Sequence, residues 1–140
     1  MSELHTGTRL VARATARIAL NDPPYATNIR AGHHDLLADE GKGGGGSDAG
    51  PSPFALVLSG LGACTAITLR MYAERKQWPL TLVTVEMDYY RDDKAFRIER
   101  VLHVEGALDA EQRARLADIA ERTPVTLALK AGATINTKLV

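Results

Sequence analysis

The residue that offers the clearest chemistry is Cys64, the one cysteine among 140 residues. A cysteine thiolate attacks electrophilic oxygen or sulfur, and a single cysteine cannot close an internal disulfide. A free cysteine is also among the most buried residue types and often serves only as a small apolar side chain. Composition alone favours packing, so a nucleophilic role for Cys64 depends on its surroundings.

Those surroundings are predicted to be a long helix that runs from Pro53 to about Lys76. Ser52 can cap the first amides, and Pro79 stops the helix. The first half is apolar on nearly all sides, so we expect the helix to begin deep in the core and to surface late. Because the sulfur lies about three turns inside, the helix's own N-terminal dipole acts little on the thiol. Activation of Cys64 therefore requires a nearby arginine from elsewhere in the chain.

Two glycines, Gly60 and Gly62, flank the cysteine. Each costs a helix roughly 0.5–1 kcal/mol relative to alanine. A compensating close approach, by another backbone or by a ligand, is therefore expected at these positions.

The remaining sequence changes between strand and helix patterns, which gives an α+β class in one domain over residues 1–140. Residues 41–52 are rich in glycine and lack large apolar groups, so we expect a mobile loop there. Strands are predicted within 8–20, on both sides of Gly32, and within 133–140. A hairpin is predicted to pair 80–90 with 96–104. Helices are predicted to start at Asp109 and to run from Pro124 to Lys130.

Composition and charge argue against several classes of function. Basic and acidic residues number 17 each, so no broad positive field exists to bind nucleic acid or an anionic membrane. The apolar stretch 54–69 is interrupted by polar residues and is shorter than the roughly 20 residues of a membrane span, which favours a core helix. The first residues lack the apolar core of a secretory signal, so a cytoplasmic protein is expected.

The strongest candidate metal ligands are His33, His34 and Asp35, with Asp39 and Glu40 close by, since imidazole and carboxylate suit zinc. Adjacent histidines on a strand point to opposite faces, so only one could join a given site unless the chain turns there. We therefore predict neither a metal ion nor a cofactor.

Two other features resemble functional motifs only superficially. Residues 41–43, Gly-Lys-Gly, lack the Ser or Thr after the lysine and the helix that a phosphate-binding loop requires. His103 lies in a predicted strand and is interpreted as a satisfied side chain rather than a base. The sequence contains no Gly-x-Ser-x-Gly elbow, so a serine hydrolase loses support.

An ordered set of segments carries a family resemblance. Residues 50–56 and 61–73, with Cys64 between Ala63 and Thr65, resemble the central helix of the OsmC/Ohr family. Residues 106–109 and 122–126 follow in the family's order, so the resemblance covers about residues 30–140. Each segment is weak by itself, but the ordered set is fairly specific.

The resemblance implies a fold in which antiparallel sheets pack around a long buried central helix, within an intertwined homodimer whose active sites lie at the interface. It also implies thiol-based reduction of organic hydroperoxides. In that chemistry the thiolate of Cys64 reacts with the peroxide and becomes a sulfenic acid, which a second cysteine converts to a disulfide.

The chain departs from the family at two positions. Thr123 stands where the second cysteine is expected, and as a residue before proline it suits the N-cap of the short helix that follows. Phe54 stands where the family has a glutamate that orients an arginine over the thiolate. Arg30 is the candidate for that arginine by rough position, and Asp39 or Glu40 could replace the carboxylate.

Two hypotheses follow. In the first, the protein reduces hydroperoxides through Cys64 alone and depends on an external thiol for recycling. In the second, it is a non-catalytic binding protein with an apolar pocket at the dimer interface, because Phe54 suits a small apolar ligand. A third possibility, a role in protein interaction with Cys64 as packing, is not marked by any sequence pattern.

Overall fold

The structure is a computed structural model that describes residues 7–140 and has an α+β fold with antiparallel sheets. The chain divides into two compact units, the first ending at Leu56 and the second running from Val57 to Val140. One domain over residues 1–140 stays a prediction. The elements are β1 (Ala14–Arg17), β2 (Thr27–Ala31), β3 (His34–Ala38), α1 (Pro53–Lys76), β4 (Leu80–Arg91), β5 (Phe96–Gly106), α2 (Ala110–Ala120) and α3 (Pro124–Ala131).

The first unit contains an antiparallel sheet in the order β1–β2–β3. The turn between β2 and β3 includes Gly32, whose φ of 60° is a left-handed conformation that glycine adopts at little cost. The two strands predicted around Gly32 are therefore confirmed. The strand predicted within 8–20 is confirmed as the four residues of β1.

The glycine-rich segment after β3 is organised around the carboxylate of Asp39. This side chain is 3% exposed and accepts hydrogen bonds from the backbone N–H groups of Glu40, Ser47 and Ala49. Burial by itself raises the pKa of Asp39, but the three donors outweigh burial, so the pKa lies below its usual value. A 3₁₀ turn at Lys42–Gly44 lies in the same segment, so the predicted loop has a defined backbone hydrogen-bond pattern.

The long helix α1 begins and ends as predicted. The Ser52 hydroxyl accepts a hydrogen bond from the Ala55 N–H, and Gln77, with a φ of 59°, turns the chain out of the helix. The expected deep burial of its first half is wrong for the single chain, because only one stripe of α1 faces the core. The buried residues are Leu61, Gly62, Thr65, Leu69 and Ala73.

The core of the second unit lies where α1 packs with the β4–β5 hairpin and α2. Leu69 and Leu116 are fully buried there, and burial of each leucine stabilises the fold by roughly 1.5–3 kcal/mol. The predicted hairpin is confirmed. Along β4 and β5, half-buried residues alternate with exposed ones, so one face of the hairpin is less exposed. This face comprises Val83, Val85, Met87, Tyr89, Ile98, Arg100, Leu102 and Val104.

The last part of the chain forms α2 and α3, which confirms both predicted helices. Asp109 caps α2 through reciprocal hydrogen bonds with Gln112. The closing strand predicted within 133–140 is wrong, since these residues form no strand. A strand requires a hydrogen-bonded neighbour. Within residues 7–140, β1, β2 and β3 form one sheet and β4 pairs with β5 in the other.

Replacing Asp39 with asparagine should destabilise the first unit. The amide loses the negative charge and presents a donor where the carboxylate accepted, so at least one backbone N–H loses its partner. We expect Tm at pH 7 to fall by several degrees in a thermal unfolding experiment followed by circular dichroism.

The pH dependence of this effect has a definite sign. Since the pKa of Asp39 is lower in the folded protein, its contribution to stability is complete above the unfolded pKa of about 4 and is lost as the pH falls through the folded pKa. The Tm difference between wild type and Asp39→Asn should therefore shrink at acidic pH. Asp35→Asn, which alters an exposed carboxylate, is the control, and an equal loss in that variant would contradict the assignment.

Candidate functional site

Cys64 is partly buried on α1, where it meets the start of α3. Its Sγ accepts a hydrogen bond from the backbone N–H of Val125, with 3.5 Å between nitrogen and sulfur. The two residues are 61 positions apart in sequence. The environment of the thiol is therefore created by tertiary folding.

The donor to Cys64 is one of the amides that an α-helix leaves unpaired at its start. Thr123 is the N-cap of α3 and Pro124 the first helical residue, so the N–H of Val125 has no acceptor in its own helix. Such amides carry partial positive charge and favour a nearby anion. Sequence reasoning sought activation in an arginine and missed this helix start, because nothing in the spacing pairs Cys64 with Val125.

Thr123 occupies the N-cap position as predicted, but its hydroxyl has a different partner. The side chain is fully buried and makes no capping hydrogen bond. Its Oγ1 lies 2.6 Å from Oγ1 of Thr126, and the Thr126 hydroxyl is directed at the Ala120 carbonyl at 3.4 Å. The two hydroxyls therefore form a buried hydrogen bond in which either oxygen can be the donor.

An arginine that sequence reasoning missed completes this network. The Arg100 guanidinium donates to Thr65 Oγ1 at 3.1 Å and to Thr126 Oγ1 at 2.9 Å. It also donates to the carbonyl of Ala120 at 2.9 Å, and the Glu121 carboxylate lies 3.4 Å away. The Arg100 side chain is 12% exposed. One nearly buried cation thus joins α1, α2 and α3.

The sequence does carry a signal for Arg100. In β5 it shares the period-two register of Ile98, Leu102 and Val104, which places it on the core face of the strand. Its neighbour on β4 is Met87. A charged residue on the otherwise apolar face of a strand is unusual, because a buried charge needs hydrogen-bond partners. This pattern could have identified Arg100 as a candidate buried polar residue.

The carboxylate of Glu121 lies between two cations. Lys130 donates to it at 2.9 Å, and Arg100 lies on its other side. The hydrogen bond from Lys130 is the main cause of the lowered pKa of Glu121, and the positive charges of Lys130 and Arg100 lower the pKa further. Partial burial raises the pKa but is outweighed. Glu121 is therefore ionised at neutral pH and balances the charge of Arg100.

A cavity of about 380 Å³ adjoins the network. Leu61 in its wall lies three residues before Cys64, and Thr126 directly follows Val125. The wall combines apolar and aromatic side chains with two cationic ones. It includes Leu61, Tyr89, Phe96, Ile98, Arg100 and Lys130.

Two predicted site residues, Arg30 and Phe54, belong to the first unit. Arg30 lies on β2, is 55% exposed and donates to the Asp35 carboxylate on β3 at 3.0 Å. Phe54 is the second residue of α1 and is 47% exposed. Their roles toward Cys64 stay predictions.

The candidate metal ligands do not form a cluster. The rings of His33 and His34 lie 4.2 Å apart between centroids, so the two histidines are not held on opposite faces as they would be on one strand. His33 lies in the turn before β3 and not on a strand, which is the physical reason. No group of three or more potential metal-ligating side chains occurs within residues 7–140. Asp39 is engaged by backbone amides, and His103 pairs with a glutamate across the hairpin.

The helix that carries Cys64 is long and apolar enough to span a membrane by length and composition alone. The core helix of a soluble protein passes the same test. Leu69 on α1 is fully buried in the core of the second unit, which identifies α1 as a core helix.

Solved structures share this fold. An OsmC-like protein from Mycoplasma pneumoniae has a TM-score of 0.74 at 17% identity, over 88% of this chain and 89% of that chain. The organic hydroperoxide resistance protein OsmC from Legionella pneumophila has a TM-score of 0.64 at 22% identity, over 89% and 92%. A protein described as an organic hydroperoxide resistance protein, from Vibrio cholerae O1 biovar eltor, has captopril bound in one of its active sites and a TM-score of 0.63 at 21% identity, over 90% and 88%. At these identities the similarity establishes the fold.

A search of curated proteins finds no match for this chain. A family model described as OsmC-like protein matches residues 44–138, which include α1 with Cys64, the β4–β5 hairpin, α2 and α3. The match spans more than half of the chain and contains every residue of the network around Arg100. The chain therefore belongs to the OsmC-like protein family.

Proposed function

We propose that this protein reduces hydroperoxides in the cytoplasm through Cys64 alone and is recycled by an external thiol. The observation that supports the proposal best is the Val125 N–H directed at Cys64 Sγ from 3.5 Å. A thiolate is an anion, and the start of a helix favours an anion. The solved relatives named as organic hydroperoxide resistance proteins support the class of reaction.

The first step forms a sulfur–oxygen bond and breaks the peroxide oxygen–oxygen bond. The Cys64 thiolate attacks the terminal peroxide oxygen, and the alkoxide that leaves takes a proton from solvent to become an alcohol. Cys64 is oxidised to a sulfenic acid while the peroxide is reduced.

Recycling requires two thiols from outside the protein. The Thr123 hydroxyl stands at the position of the usual second cysteine and cannot condense with a sulfenic acid. One external thiol attacks the sulfur of the Cys64 sulfenic acid, and water leaves as a mixed disulfide forms. A second external thiol attacks the external sulfur of that disulfide, which releases Cys64 in its reduced form and an oxidised external disulfide.

Arg30 stays the proposed activating arginine. The Asp35 carboxylate, 3.0 Å from its guanidinium, can orient Arg30 in place of the glutamate that Phe54 replaces. Phe54 then contributes an apolar surface for the organic part of the peroxide.

Replacing Cys64 with serine should abolish hydroperoxide consumption. With excess small thiol, wild type should consume cumene hydroperoxide catalytically, and the variant should fall to the rate of the thiol alone. Intact-mass measurement with a sulfenic-acid trap should give one adduct on wild type and none on the variant, because Cys64 is the one cysteine.

Met71→Leu is the matched control, since it removes the sulfur of a second residue on the same helix while conserving volume. It should keep wild-type turnover. Unchanged peroxide consumption in Cys64→Ser would sink the proposal.

We also propose that two copies form an intertwined homodimer. On α1, Ile67 and Met71 are 58% and 53% exposed, although these side chains are large and apolar. The close approach expected at the glycines from a backbone or a ligand is not seen: an added Cβ at Gly62 would lie 2.6 Å from the terminal methyl of the Met87 side chain, and one at Gly60 would meet nothing within 4 Å. A second copy would cover the face of α1 that carries Ile67 and Met71. An edge strand of its sheet would also be available to pair with the segment 133–140.

The variant Ile67→Glu should weaken the dimer. A carboxylate without a partner costs several kcal/mol in an apolar interface, and each ~1.4 kcal/mol weakens association about tenfold. Light scattering coupled to size exclusion should give twice the chain mass for wild type and a concentration-dependent lower mass for the variant. Leu20→Glu, at a fully exposed residue of the first unit, should remain dimeric. A wild-type protein of single-chain mass would contradict the proposal.

A second function, binding of a small apolar ligand without turnover, is favoured by the cavity beside Arg100. Its apolar and aromatic wall suits a small apolar molecule, since the two cations beside it are already paired with Glu121. Native mass spectrometry of freshly purified protein should then show a retained ligand in wild type and in Cys64→Ser. Phe96→Ser, which removes part of the wall, should lose it. Protein that is free of ligand in several preparations counts against this function.

A further inference from the structure

We propose that Arg100 is a positioning residue that holds the N-terminus of α3 against the sulfur of Cys64. Its effect on peroxide reduction rests on the proposed function. Its effect on the position of α3 does not depend on that function, so the effect on peroxide reduction and the effect on α3 can be tested separately.

The hydrogen bonds of one guanidinium nitrogen carry this inference. Nη1 of Arg100 donates to the hydroxyls of Thr65 and Thr126, at 3.1 Å and 2.9 Å. Thr65 directly follows Cys64 on α1. Thr126 directly follows Val125, whose N–H donates to Cys64 Sγ. Nη1 therefore connects Thr65, the neighbour of Cys64, with Thr126, the neighbour of Val125.

The second guanidinium nitrogen fixes the segment from which α3 starts. Nη2 of Arg100 donates to the Ala120 carbonyl at 2.9 Å, at the last residue of α2. The helix α3 begins four residues later at Pro124, so this bond anchors the short connection between the two helices. The buried hydroxyl of Thr123, in the same connection, is hydrogen-bonded to that of Thr126 and extends the network.

Burial makes this arrangement dependent on arginine. Arginine stays protonated in proteins, and a cation that is 12% exposed is tolerated when its N–H groups are bonded. A lysine would keep the charge but lacks the planar fork that reaches acceptors on three helices at once. In a chain without a second cysteine, this network is a non-covalent connection between α1 and α3.

The test compares Arg100→Met and Arg100→Lys with Arg97→Met. Arg97 lies on the same strand, is 59% exposed and pairs with an exposed glutamate, so its loss should leave the site unchanged. Thr126→Val and Thr126→Ser form a second pair, because valine removes the acceptor of Arg100 whereas serine retains it. This pair keeps the proposal testable if the Arg100 variants do not fold.

Two measurements separate positioning from general stability. Amide hydrogen exchange compares Val125 and Leu127, at the start of α3, with Leu116 in the core of α2. Stopped-flow oxidation of Cys64 by cumene hydroperoxide is measured over a range of pH, because a change in access to the sulfur alters the rate equally at every pH, whereas loss of an amide that favours the thiolate lowers the rate most at neutral pH.

We expect exchange at the start of α3 to rise about tenfold in Arg100→Met and Thr126→Val, with Leu116 unchanged. The oxidation rate at neutral pH should fall about tenfold and recover at high pH, and Thr126→Ser should restore both values. Equal loss of protection at Leu116, or unchanged exchange in α3, would overturn the positioning role. If wild type is not oxidised faster than a free thiol, the proposed function fails, while the exchange result still decides the role of Arg100.

Discussion

In the second unit, one stripe of α1 packs with the core face of the β4–β5 hairpin and with α2, and the fully buried Leu69 and Leu116 meet there. Apolar burial of this kind is the dominant favourable term in folding. It sets the position of α1 relative to α2, and the short connection after α2 then carries α3 to Cys64. The surroundings of the thiol therefore depend on this packing.

Polar contacts complete the arrangement that the apolar core begins. Arg100 extends from the core face of β5 to hydroxyls on α1 and α3 and to a carbonyl of α2. Glu121, ionised between Lys130 and Arg100, compensates its charge. Buried polar groups are costly unless each is paired, so such a network favours one arrangement of the three helices. That arrangement directs the Val125 amide at the sulfur.

The same helix leaves apolar surface uncovered in a single chain. Ile67 and Met71 are more than half exposed, and Ile135 in the closing segment is 85% exposed. The proposed homodimer would cover these side chains and would offer a neighbour to the closing segment, which has strand composition but no strand neighbour in the described part of the chain. The expected deep burial of α1 and the expected closing strand were both derived from composition, which does not reveal whether the covering surface belongs to the same chain.

Local patterns determined the elements themselves. Ser52 and Pro79 predicted the ends of α1, period-two alternation predicted the hairpin, and the segment around Cys64 indicated the family. Only the tertiary structure decided which groups surround the sulfur. The Val125 amide comes from 61 positions away, and the Arg100 guanidinium reaches Thr65, beside the cysteine, from 35 positions away. Hydrophobic periodicity and capping patterns extend over a few turns of chain, so they specify each helix and strand but not the distant groups that packing brings to Cys64.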